Sequence, residues 1–132
     1  MNAETILNAA QGVLQRRGMC AGNFTIVSGE VDAFGALAIA GGFEPDVWMG
    51  LREWHEIHWE PGDHRLVDAA YLLAEQVLPG RCVAGMPLDD LITDAGDRLD
   101  AMSPDEVLDA FTKAAHVAGE AARLAEKAGA AT

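Results

Sequence analysis

Asp32-Ala33-Phe34-Gly35-Ala36-Leu37-Ala38-Ile39-Ala40 is apolar on every side once Asp32 is set aside. A helix that is apolar all round has no face to give to water and belongs at the centre of a domain. Asp32 has the chemistry of an N-cap, and Gly41-Gly42 supplies the stop. Gly35 and the alanines leave room for neighbouring elements to come close. The rest of the chain can then be read as what surrounds this segment.

On its N-terminal side, Ile6, Leu7, Ala10, Val13 and Leu14 recur at helical spacing, with Gln11, Gln15 and Arg16 opposite. Arg16 and Arg17 fall in the last turn, where cations suit the helix dipole, and Gly18 caps it. Phe24–Val27 is short and β-branched, Ser28-Gly29-Glu30 is turn-like, and Val31 resumes the apolar pattern, so a small β-hairpin is expected near residues 24–31.

On its C-terminal side, Glu44-Pro45-Asp46 opens a helix expected to run through Trp54 or slightly beyond. Glu60-Pro61-Gly62-Asp63 reads as a break. The next helix is expected from about His64 to Leu78, on Leu66, Ala69, Ala70, Leu73, Ala74 and Val77. Leu88, Leu91 and Ile92 suggest one or two helical turns. Ser103-Pro104-Asp105-Glu106 is a capping box with proline at the first helical position. The last helix is expected from Pro104 to about Lys127, its far end projecting, fraying or packing on a second copy. The expected fold is thus mainly α: one compact domain over residues 1–132, of about five helices with a small hairpin.

Two stretches resemble a known family. Ile6–Gly22 (I-L-N-A-A-Q-G-V-L-Q-R-R-G-M-C-A-G) with Gly29–Ala40 (G-E-V-D-A-F-G-A-L-A-I-A) is similar to the start of a DUF6197-like domain of unknown function, found in actinobacteria and their phages. Leu91–Ala115 is similar to the family's ending. Met19 replaces the family's aromatic residue, and Ile92-Thr93-Asp94 stands where Trp-Asn-Asp is usual. The resemblance covers roughly half of the chain and implies a scaffold and an origin, with no activity, cofactor or catalytic residue to carry over.

Bulk composition narrows the function. The 132 residues hold 21 acidic and 9 basic side chains, a formal charge of −12, which disfavours direct binding to nucleic acid or anionic membranes. No apolar run approaches the ~20 residues of a membrane span. Met1–Asn8 lacks a signal-peptide pattern, so the cytoplasm is the expected location. Cys20 and Cys82 are far apart, outside any C-x-x-C pair, and are expected to be reduced. The only serines, Ser28 and Ser103, are accounted for by a turn and a cap, and no phosphate-loop or nucleophile-elbow motif occurs.

The remaining candidates are three. Trp48–His64 holds all three tryptophans and three of the four histidines. His55, His58 and His64 with a nearby carboxylate are a candidate zinc or iron set, although H-E-I-H is one residue short of the zincin motif. The plainer account makes these histidines hydrogen-bonded residues around buried indoles. Trp48 is expected inside. Trp54 and Trp59, five apart, face different ways on a regular helix, so one exposed tryptophan is expected, with Trp59 the choice. The acidic block, including Asp94, Asp97 and Asp100, is either a solvated face, a contact for a basic protein or a nucleic-acid mimic. The reading adopted is a non-enzymatic interaction protein without a cofactor. Its protein partner would meet Trp54, Trp59 and the aspartates, and a homodimer is a further expectation. A metal-dependent enzyme on the histidines is the alternative.

Overall fold

A computed structural model describes residues 2–20, 29–53 and 58–130 of the chain. Within them lie six α-helices: α1 Ala3–Arg17, α2 Ala33–Ala40, α3 Val47–Glu53, α4 Pro61–Val77, α5 Leu88–Asp100 and α6 Pro104–Ala130. A single 3-10 turn, Val83–Gly85, lies between α4 and α5.

The central position expected for α2 is what the packing shows. Seven of its eight residues are buried, and it contacts α1, α3, α4 and α5. Its N-terminus is capped by Asp32, whose carboxylate accepts from the Gly35 N–H at 2.7 Å. Trp48 on α3 is fully buried against it: the indole Nε1 donates to the Phe34 carbonyl at 2.6 Å, and the two rings meet edge-on at 5.6 Å and 78°. α1 packs chiefly on α6 and α2, and α4 on α6 and α5. Ile6, Leu7 and Ala10 of α1 meet a core that includes Leu66 and Leu73 of α4 and Phe111 of α6. Thr112 Oγ1 donates to Gln11 Oε1 at 3.0 Å, a polar link from the last helix to the first.

Two helix boundaries depart from the sequence reading. Glu60-Pro61-Gly62-Asp63 begins α4 instead of separating helices: Pro61 occupies the first turn, where no N–H is needed, and the Glu60 N–H donates to Asp63 Oδ2 at 3.0 Å. α5 is a full 13-residue helix, making six where about five were expected. Its stripe of Leu88, Leu91, Ile92, Ala95 and Leu99 is complete at spacings of three and four; the aspartates between them belong to its wet face. The hairpin expected near residues 24–31 falls largely outside the described residues. What is seen beside it is one isolated parallel bridge between Met19 and Val31, with Cys20 N–H donating to Val31 O at 2.9 Å.

The other signals hold locally. Gly18 follows α1 with φ +82°, a region open to glycine, and its N–H closes on the Leu14 carbonyl. Ser103 and Glu106 form the reciprocal capping box at 3.1 and 3.2 Å. α6 keeps its buried stripe to Ala118 and Gly119, then runs on to Ala130 with residues 120–129 exposed.

Candidate functional site: an acid-rimmed groove along α4

Asp68, Tyr71, Leu72 and Glu75 recur at helical spacing and form one wall of a groove of about 390 Å³. Asn2, Ala3 and Glu4 at the start of α1 form the second wall, and Ala118, Ala121 and Ala122 of α6 the third. The floor is apolar, the rim carries the carboxylates of Glu4, Asp68 and Glu75, and no lysine or arginine lines it. Burial pushes the Asp68 carboxyl above the usual carboxylate range, and nearby His64 opposes that shift. Tyr71 is held in place by donating its hydroxyl to the Met86 carbonyl. Asn2 is committed as the α1 cap, accepting from the Thr5 N–H at 2.9 Å.

The tryptophan-histidine cluster lies one helical turn before the groove along α4. His64 precedes Asp68 by one helical turn on α4, and Trp59 meets the His64 ring edge-on at 5.4 Å and 63°. Trp59, His64, Asp68, Leu72 and Glu75 therefore follow one another along the molecule. Trp59 itself is half-buried against the core, not the exposed ring the sequence suggested. Its Nε1 is buried and has no hydrogen-bond partner among the described residues. An unmatched buried donor costs about 1–3 kcal/mol. Trp59→Phe removes the donor and keeps most of the ring, so its stability is expected within about 1 kcal/mol of wild type. Trp59→Ala is expected to lose about 2–3 kcal/mol through lost packing. Urea melts of the two variants check this; equal, large losses would show that the indole N–H is doing something the geometry does not reveal.

The other sequence candidates are distributed differently. Trp54 and His55 lie outside the described residues. His58 and His64 are exposed. Among the described residues no three His, Cys, Asp or Glu side chains are grouped to hold a metal ion, and the histidine set read from the sequence needs His55. The acidic block divides among several tasks. Asp89 and Asp90 occupy the first turn of α5, and Asp105 and Glu106 that of α6. Asp94 pairs with Arg81 at 2.9 Å, and Asp109 with Lys113 at 2.9 Å. Asp97 is exposed and lines a shallow pocket with Asp94, Arg81 and Arg98, where the charges are mixed. Asp100 is half-buried and close enough to Asp32 to raise its carboxyl.

Asp32 is the one buried charged residue among those described, at 7% exposure. Burial is the main cause that pushes its carboxyl up to about 7; Asp100 adds to the rise, and the hydrogen bonds from Gly35 and Phe34 work against it. Beside it, the Cys20 thiol is raised by its own burial and then by Asp32 and Glu30. A raised thiol pKa keeps cysteine protonated and is the opposite of what a nucleophile needs.

Sequence reasoning missed the groove because its walls come from three helices widely separated along the chain. The available signal was on α4, where Asp68 and Glu75 border Tyr71 and Leu72.

Fold and site together define a small, mainly helical protein with an acid-rimmed surface groove. The chain belongs to DUF6197, a family of unknown function, whose sequence model matches residues 1–117. No curated protein and no solved structure matches it.

Proposed function

We propose that this protein is a non-enzymatic interaction factor that docks a basic segment of a partner protein, serving as an accessory protein of an actinobacterium or its phage. The observation that carries this reading is the charge of the groove: three carboxylates around an apolar floor, with no cation among its lining residues. An amphipathic helix with lysines or arginines beside an apolar face complements both features. Trp59 and His64 extend the same strip and would lie at its end. The overall charge of −12 favours capture of a basic partner before close contact is made. Asp94, Asp97 and Asp100 contribute to that general field; Asp94 is already paired with Arg81.

A synthetic lysine-rich amphipathic peptide tests the reading by fluorescence anisotropy. Wild-type protein is expected to bind it, more weakly as salt rises. The Glu4→Lys/Asp68→Lys/Glu75→Lys variant is expected to bind at least tenfold more weakly, with an unchanged helical spectrum. Reversal of Asp94 and Asp97 is expected to cost less than threefold. No binding by wild type at low salt, or equal binding by the groove variant, would overturn the proposal.

A further inference from the structure

We infer that the part of α6 beyond Ala118 is a self-association surface whose occupant is the same helix of a second copy, running antiparallel. This does not depend on the groove's having a partner. Val117 and Leu124 are 39% and 68% exposed, two of the three large apolar side chains exposed among the described residues. With Ala121 and Ala128 they form the series 117, 121, 124, 128. The spacing of four, three and four is the repeat of a helix-helix seam. The seam lies beside the α1 and α4 contacts, which use Val107, Phe111, Ala114, Ala115 and Ala118 on the adjoining side of α6, and it shares Ala121 with the wall of the groove.

The choice of a second copy rests on self-complementarity. When two such helices cross in opposite directions, Val117 of one meets Ala128 of the other, and Ala121 meets Leu124. Each layer then joins a large side chain with a small one, the combination that lets helices approach closely. Glu120 and Lys127 flank the seam on one side, seven residues apart, so antiparallel pairing brings Glu120 of each copy to Lys127 of the other. A parallel pair would stack leucine on leucine and alanine on alanine and leave these charges without opposite partners. Glu120 also has an intrahelical partner, His116, whose Nε2 lies 3.2 Å from its carboxylate. The exposed length, residues 120–129, is about 15 Å at 1.5 Å per residue. A contact of that length falls below the ~1,200 Å² of a stable specific interface, so the pairing is expected to be weak and concentration-dependent.

Sedimentation equilibrium of the full chain, from micromolar protein to about 1 mM, the range in which so small an interface should register, tests this. Wild type is expected to move from monomer to dimer. Leu124→Asp should weaken association at least tenfold while leaving the melting temperature of dilute protein unchanged. Lys127→Glu alone and Glu120→Lys alone should each weaken it severalfold, and the double exchange should restore it. A wild type that stays monomeric throughout overturns the inference. So does a dimer indifferent to Leu124→Asp, or a double exchange no better than the single ones.

Discussion

Trp48→Ala is expected to lose about 4 kcal/mol of folding stability, the largest effect of any single truncation in this domain. The indole is fully buried, lies edge-on to Phe34 and donates to the Phe34 carbonyl. Truncation removes all three interactions and leaves a cavity the size of two fused rings beside the central helix. Rigid helices on several sides of α2 limit how far the site can collapse, which places the cost high in the usual range. Natural domains are stable by only about 5–15 kcal/mol, so the variant should be partly unfolded at physiological temperature. Trp48→Phe keeps much of the volume and loses the hydrogen bond, for an expected cost of about 1–2 kcal/mol. Urea titrations read both, and an alanine variant whose midpoint matches wild type would remove Trp48 from the core.

Asp32 should make the fold more stable in mild acid than in mild base. Its carboxyl rises from 3.8 in the open chain to about 7 when folded, so folding favours the protonated form. The corresponding stability is complete below pH 4, falls as pH rises toward 7, and is lost above that. The full difference is about 4 kcal/mol, of which roughly 2–3 kcal/mol lies between pH 5 and pH 8. Relief of repulsion at a net charge of −12 acts in the same direction. Asp32→Asn separates the two effects. The amide still offers an oxygen to the Gly35 N–H as the α2 cap and carries no charge. The variant should match wild type below pH 4, exceed it by about 1–2 kcal/mol at pH 5 and by about 4 kcal/mol at pH 8. A variant as pH-dependent as wild type would place the effect elsewhere.

Asp32 also shows where sequence reading succeeds and stops. Its role as a cap was legible from its place before an apolar run. Its charge problem was not, because the burial that raises its pKa comes from packing, and Asp100, which adds to the rise, is far away in sequence. The same contrast holds elsewhere. α2 and the start of α6 were legible because all-round apolarity and the Ser103-Glu106 box are local. α5 was underestimated because its density of aspartates hid a complete buried stripe. Pro61-Gly62 was read as a break, yet proline at the first helical position is permitted and Asp63 closes the turn. Trp59 was placed in water because the reading extended a regular helix from Trp54, whereas Trp59 lies just before α4, outside any helix. The groove was illegible for a simple reason: α1, α4 and α6 meet only in three dimensions.

The contact between α1 and α6 has a consequence for how the chain is made. The first helix shares its apolar stripe of Ile6, Leu7, Ala10, Val13 and Leu14 between α2, which is near in sequence, and α6, whose share of the cover is missing until Phe111 and its neighbours have been synthesised. Contacts so distant in sequence carry a loop-closure cost and form late. A nascent chain that has emerged only as far as α5 should therefore stay open and sensitive to protease on the ribosome, closing as one unit when α6 clears the exit tunnel.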